Sequence, residues 1–430
     1  SILCDALTDK RLKRPRIYIL NDDFFSIDLS KISEKIFSND WTIGIIGNPP
    51  WVTNSHQGKY DSDNTPLKSN IYDLKGIDAI TGKSNFDISE YITLSLLEQF
   101  GSCNGGISFL LKNSVIRNII YKQSKYPKSI DNINQFEIDA YKEFDVSVEA
   151  SCLTAKLGNV GALECKVFNF YDKKNIYSYG WVNDSFVSDL DSYQRFAMYD
   201  GHSSYEWRSG IKHDCAAALE LRLIDGKFVN GFGEDVDVES DLIYPLLKSS
   251  DINKICENPR KFIIVPQHKT GENTSSLKLK YPKLYEYLES KAEIFAKRKS
   301  SIYKGKDRFS IFGVGDYTFK PFKVVVSSLY KDITFTLVKD FQGKPYVVDD
   351  TCYQLAFDSL EEAQAIWDAL MSFEIQSLLK SLVFKDAKRV VTKSLLMRLD
   401  LDKYCESKNI SVRKFKESHN SSVIQLSFFD

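Results

Sequence analysis

The segment Ile43-Gly44-Ile45-Ile46-Gly47-Asn48-Pro49-Pro50-Trp51 carries the most specific chemistry in the chain. An apolar, strand-like run ends in glycine and delivers an amide, two prolines and an aromatic into a loop at its carboxyl end, where open α/β sheets place their ligands. Asn48 offers a side-chain carbonyl, and Pro49 a backbone carbonyl whose direction is restricted by the proline rings. Two converging acceptors grip both hydrogens of an amino group. Trp51 adds a flat π face on which a purine can stack. Together these groups would hold an exocyclic amine with its lone pair free to attack an electrophile. The other reading of the same residues is a proline-stiffened turn after a strand.

Such a loop needs a sheet to carry it, and residues 17 to about 172 alternate short apolar runs with helical stretches, as an α/β sheet requires. The expected strands are Ile17–Leu20, Thr42–Ile46, Ile107–Leu111, Ser147–Lys156 and Gly161–Tyr171, the last two as a hairpin-like pair. A helix is expected over Ser89–Phe100, with Ile92, Leu96 and Leu97 on one face. Residues 57 to 85 are polar and without periodicity, a length that suits a lid or substrate-contacting loop. Tyr, Ser, Asp and Gly accumulate over 174 to 210, which places a domain boundary there and divides the chain into 1–178 and 179–430. The second region mixes β-like runs (Phe262–Pro266, Phe309–Val314, Phe322–Ser328, Thr334–Val338, Tyr346–Val348) with helices. One helix is expected over Tyr281–Ser300, beginning near Pro282, and another opens with Ser359 and Glu362 in capping-box spacing.

Asn48-Pro49-Pro50-Trp51 resembles the Asn/Asp-Pro-Pro-aromatic signature of DNA methyltransferases that act on amino groups, and the Asn form is similar to the adenine-N6 group whose target-recognition domain follows the catalytic one. The resemblance implies an S-adenosylmethionine cofactor, a double-stranded DNA partner, and Asn48, Pro49, Pro50 and Trp51 around a flipped-out adenine. Upstream, Ile17-Tyr18-Ile19-Leu20-Asn21-Asp22-Asp23-Phe24 resembles the family segment in which a strand-end carboxylate receives the cofactor's adenine amino group. By matching, that role falls to Asp23, with Asp22 as rival and Phe24 lining the cofactor; read alone, Asp-Asp at a strand end is a turn or helix cap. Downstream, Ser84-Asn85-Phe86-Asp87-Ile88 and Gly105-Gly106-Ile107-Ser108-Phe109-Leu110-Leu111 look like the next two segments, with Phe86 and Asp87 beside the cofactor. Many relatives carry a Phe that sandwiches the flipped base where this chain has Val148, and Phe144 is the alternative aromatic. Trp207–Cys215 and Phe309–Tyr317 look like segments of the specificity domain; His213 beside Asp214 reads as local hydrogen bonding rather than a dyad. The implied fold is α/β, a partial Rossmann-like methyltransferase sheet followed by an α+β target-recognition domain.

The family's Gly-rich cofactor turn is not visible among the residues before Asn48, and the pairs Gly231/Gly233 and Gly313/Gly315 do not follow an acidic strand end. Three explanations stand: a fragment of a longer enzyme, one subunit of a split enzyme whose missing N-terminal segment or partner carries that turn, or a DNA-recognition protein without catalysis. An unrelated α/β protein with a chance Asn-Pro-Pro-Trp turn is the remaining possibility.

Bulk properties bound the rest. The chain has 43% hydrophobic residues, enough for a substantial core, and its formal net charge of −1 argues against indiscriminate coating of nucleic acid but permits a local basic groove. The densest basic run, Lys297, Arg298, Lys299, Lys304, Lys306 and Arg308, is either a solvated face or a phosphate-contacting one. Eight cysteines lie scattered without CxxC pairs or clustered histidines, so neither a zinc site nor a disulfide framework is expected, and free thiols in a reducing cytoplasm fit. No apolar stretch reaches the roughly 20 residues that span a bilayer.

Overall fold

The computed structural model describes residues 24, 27–39, 41–51, 87–158, 161–254, 258–384 and 390–410. The expected strand Ile17–Leu20 lies outside these residues, as do Asp22, Asp23, Phe86 and the polar stretch 57 to 85. The chain divides into two compact units, Ser1–Trp181 and Val182–Asp430.

The first unit contains α1 (Ser30–Ser38), β1 (Ile43–Gly47), α2 (Ile88–Phe100), β2 (Gly105–Lys112), α3 (Asn113–Gln123), β3 (Ile130–Ile138), α4 (Ala140–Phe144), β4 (Ala150–Leu157), β5 (Glu164–Asn169) and β6 (Asn175–Val182). Within it the sheet runs β1-β2-β4-β3-β5-β6. β1 and β2 are parallel, whereas β4 is antiparallel to both β2 and β3. Ile107, Phe109 and Leu111 alternate into the core from β2, where they join Leu153 and Leu157 of β4 and Val115, Ile116, Ile119 and Ile120 of α3.

The hairpin expected from Ser147–Lys156 and Gly161–Tyr171 does not form, because β3 lies between β4 and β5 and pairs with both. β3 reads poorly as a strand since it carries Asp131, Asn132, Asn134 and Gln135 and bulges between Asp131 and Asn134. Its polar groups are matched only in the folded sheet: Gln135 donates to Ser151 at 3.2 Å and accepts from the Tyr179 hydroxyl at 2.9 Å. On α2 the buried face is Thr93, Leu94, Leu97 and Phe100, so Ile92 and Leu96 sit half-exposed on its flank.

Gly105 shows why β2 opens with Gly-Gly. A Cβ there would lie 2.0 Å from the Ile43 carbonyl oxygen, on the strand that leads to Asn48. We predict that Gly105→Ala destabilises the first unit by about 2 kcal/mol through overpacking, read as a lower urea midpoint. An unchanged midpoint would mean the two strands separate freely.

The second unit begins with strand and helix where a loose boundary was expected: β7 (Ser185–Val187) and α5 (Leu190–Phe196) fall inside the stretch 174 to 210. Its sheets are built from β8 (Arg208–Ser209), β9 (Glu220–Ile224), β10 (Lys227–Val229), β11 (Ile243–Leu247), β12 (Lys261–Ile264), β13 (Phe322–Ser327), β14 (Phe335–Val338), β15 (Val347–Val348) and β16 (Cys352–Phe357). One five-stranded sheet has the order β10-β9-β12-β11-β15 and a four-stranded sheet the order β14-β13-β16-β8. The expected helix over Tyr281–Ser300 is two, α6 (Pro282–Ser290) and α7 (Ala292–Ala296), broken at Lys291. The capping signal at Ser359 is realised, with its hydroxyl accepting from the Glu362 amide at 3.2 Å to start α8 (Leu360–Met371). Phe309–Val314 makes no strand; Phe312 instead forms an isolated bridge with Lys212.

Among the described cysteines, Cys103, Cys165, Cys215, Cys352 and Cys405 are buried free thiols and Cys152 is half-buried. Burial pushes the Cys165 thiol up to about 12. No helix of the described residues is long and apolar enough to cross a membrane.

Candidate active site

β1 ends at Gly47, and the chain turns out of the sheet at its carboxyl end. Pro49 is buried and Trp51 half-buried, while Asn48 is exposed and has no side-chain partner among the described residues. An amide that no described residue uses is open to a ligand. The Trp51 indole is fixed on both sides: its Nε1 donates to the Leu110 carbonyl at 3.2 Å, and its ring meets Phe144 edge-on with centroids 6.4 Å apart. Phe144 therefore reaches Trp51, whereas for Val148 the structure gives only its exposure.

Lys112, at the last position of β2, was not singled out by the sequence. Its ammonium donates to the Trp51 carbonyl at 2.9 Å and to Asp87 Oδ2 at 2.7 Å. Asp87 is buried and caps α2 with its other oxygen, accepting from the Ser89 amide at 3.0 Å and hydroxyl at 2.6 Å. Both carboxylate oxygens are thus held by protein groups. Asn48 presents an open amide, as the expected amine-gripping role requires; of the residues expected beside a cofactor, Phe24 is half-buried, Asp87 is committed to Ser89 and Lys112, and Asp23 and Phe86 lie outside the described residues.

No protein-family model matches the chain. The Type II methyltransferase M.NspV of Nostoc sp. (strain ATCC 29411 / PCC 7524) is 39% identical over 404 residues, covering 91% of this chain and 83% of the relative. The chain belongs to the Type II methyltransferases. Two solved structures align with most of the methyltransferase at low similarity. The Type IIL restriction-modification enzyme MmeI in complex with DNA gives a TM-score of 0.46 and 12% identity, covering 88% of this chain and 48% of that one. The type IIG restriction endonuclease BpuSI gives 0.34 and 14%, covering 90% and 50%. The methyltransferase spans about half the length of each of these two chains.

In the second unit of the methyltransferase, the two segments that resemble specificity-domain motifs meet. Lys212 and Phe312 exchange backbone hydrogen bonds of 2.9 Å in both directions. Gly313, at φ +74°, lies so close to Gly210 that a Cβ would come within 2.4 Å of its carbonyl oxygen. The Arg208 guanidinium lies over the Tyr317 ring, 5.4 Å from its centroid. Sequence reading found the two segments but not that they form one feature.

His213 turns away from Asp214. Its Nδ1 accepts from the Cys215 amide at 3.1 Å, and its Nε2 lies 3.6 Å from Glu220 Oε1. Burial alone would raise the Glu220 carboxyl, but hydrogen bonds from His213, Lys248 and Lys261 hold it well below the usual carboxylate range. His213, Glu220 and Asp349 offer atoms within 4.8 Å of one another, a spacing that could hold a cation. Lys248, 2.6 Å from Glu220 and 3.5 Å from Asp349, already supplies that positive charge.

The basic run separates into two kinds of residue. Arg298 is turned onto its own backbone, donating to the Ser310 carbonyl at 2.6 Å and the Arg308 carbonyl at 2.8 Å, with its guanidinium 3.7 Å from the Tyr303 ring centroid. Arg308 pairs with Glu289 at 2.7 Å and Lys297 with Glu293 at 3.6 Å. Lys299, Lys304 and Lys306 are exposed without ion pairs among the described residues. The expected outcome of Lys304→Gln with Lys306→Gln is a slope of log DNA affinity against log salt that is shallower by about 1 to 2, with unchanged stability. Arg298→Gln should instead lower stability by roughly 1 kcal/mol, because the carbonyl of the buried Ser310 loses its charged donor. An unchanged salt slope would show that these lysines do not contact phosphates.

Proposed function

We propose that this methyltransferase transfers a methyl group from S-adenosylmethionine to N6 of an adenine rotated out of duplex DNA, as part of a cytoplasmic restriction-modification system. The observation that carries the reading is the exposed Asn48, without a side-chain partner among the described residues, beside a Trp51 fixed through its ring and its carbonyl. The Asn48 side-chain oxygen and the Pro49 carbonyl accept the two amino hydrogens, and Trp51 stacks on the base. Bound S-adenosylmethionine supplies a sulfonium methyl as electrophile. Transfer would leave the C–S electron pair on the departing sulfur and pass the amino proton to solvent water. Asn48 and Pro49 act by holding the lone pair in line and by accepting hydrogen bonds that strengthen as positive charge develops on nitrogen.

On this reading the first unit is a portion of a Rossmann-like methyltransferase sheet, with Asp23, Phe24, Phe86 and Asp87 toward the cofactor. The second unit is the target-recognition module, and its lysines position phosphates rather than specify bases. A segment or partner subunit carrying a Gly-rich turn would complete the cofactor pocket.

The test is calorimetric titration with S-adenosylmethionine followed by transfer of its labelled methyl group into duplex DNA. One-to-one binding with label in DNA is expected from a complete pocket, and binding that appears only when the Gly-rich piece is supplied is expected from a divided one. Binding without transfer to any DNA would contradict the proposal.

A further inference from the structure

We propose that Lys112 is a positioning residue that sets the Asn-Pro-Pro-Trp turn for methyl transfer, a role that rests on the reading above. The need for such a residue follows from the turn itself. Pro49 and Pro50 have no N–H, so the chain leaving β1 offers no backbone donor at two successive positions by which neighbouring strands could hold it. It must be held through acceptors or through side chains. The Trp51 carbonyl is the acceptor used, and Lys112 Nζ is the donor, 2.9 Å away.

The donor is itself fixed. Lys112 closes β2, whose register is set along its full length by β4, from Gly105 opposite Leu157 to Lys112 opposite Ala150. Its ammonium is drawn to Asp87 Oδ2 at 2.7 Å, and Asp87 cannot follow the lysine because its other oxygen caps α2. α2 is in turn tied to α3 by Glu90 and Lys122, 2.6 Å apart, with the Glu90 side chain almost fully buried. Trp51 is pinned a second time on the same strand, since its indole donates to Leu110, two residues before Lys112. Backbone and ring of Trp51 are thereby referenced to one strand end, and Asn48, whose side chain has no hydrogen bond among the described residues, takes its position from that anchor. Asp87 contributes by orienting Lys112, and a charge-neutral pair leaves no net positive charge beside an amine that becomes cationic during transfer.

The experiment uses the full chain labelled with 5-fluorotryptophan, which carries five tryptophans, with the Trp51 fluorine signal assigned through Trp51→Phe. In Lys112→Met the Trp51 signal is expected to move while the other tryptophan signals stay, showing an intact fold with a released turn. In the methylation assay the same variant should lose kcat by about 100-fold, as a misplacement near 1 Å does, with KM for S-adenosylmethionine within about threefold of wild type. Lys112→Arg, which can donate to both partners, should recover the Trp51 signal and most of kcat, and it decides the matter if Lys112→Met does not fold. An unmoved Trp51 signal with unchanged kcat in Lys112→Met, or no recovery in Lys112→Arg, would overturn the proposal. A wild-type chain that binds cofactor and DNA but transfers nothing would overturn the reading it rests on, and the fluorine spectrum would still decide whether Lys112 holds the turn.

Discussion

Asn48→Ala is expected to lower kcat for methyl transfer by about 10³-fold while duplex DNA affinity stays within about twofold of wild type. The size of the effect follows from what the amide does. In the proposed reaction it accepts one of two hydrogens on the reacting amine, where charge on nitrogen grows only in the transition state, so its removal should cost rate rather than binding. The effect on the fold should be slight, within about 0.5 kcal/mol, because Asn48 is exposed and has no side-chain partner among the described residues. Full activity in Asn48→Ala would remove the residue from this role. A loss of both activity and folding would make it structural.

Lys323→Met should stabilise the second unit at neutral pH, by roughly 1 to 3 kcal/mol. Lys323 lies on β13, between β14 and β16, and is only 1% exposed. Its ammonium donates to the Lys320 carbonyl at 2.5 Å and has no carboxylate partner among the described residues. Burial pushes its pKa down from 10.5 to about 7. The direction of the pH dependence follows. Below about pH 7 the lysine is charged both folded and unfolded, and the full cost of burying the charge weighs on the fold. Between about 7 and 10.5 the folded form is neutral while the unfolded chain still binds the proton, so stability rises with pH through that window. Thermal unfolding of wild type at pH 6 to 10 should show this rise, and Lys323→Met should flatten it. A variant less stable at pH 7, with the same pH slope, would contradict the account.

The loop at the end of β1 was legible in the sequence because its chemistry is local: glycine, amide, two prolines and an aromatic in succession need no other part of the chain to be read. The strand before it and the helix after Asp87 were legible for the same reason. What could not be read was what tertiary pairing decides. β3 is polar enough to pass for a loop until Gln135 finds Ser151 and Tyr179, so the sequence alone suggests a hairpin-like pairing of β4 and β5, which are not neighbours. Lys112 carries no pattern that distinguishes it from a surface lysine, and only the folded chain brings it to both Trp51 and Asp87. The converse holds for Arg298, which belongs to the most basic run in the sequence yet spends its donors on backbone carbonyls. Composition shows that charge is present; geometry decides which charges face outward.

The proposed grip of Asn48 and Pro49 on an amino group requires above all that the atom methylated be the N6 of adenine. The most direct test is to incubate the enzyme, supplied with any segment or partner needed to bind cofactor, with duplex DNA and S-adenosylmethionine, digest the DNA to nucleosides and identify the methylated one by mass spectrometry. The account predicts N6-methyldeoxyadenosine, absent with Asn48→Ala. N4-methyldeoxycytidine or 5-methyldeoxycytidine in its place would contradict it.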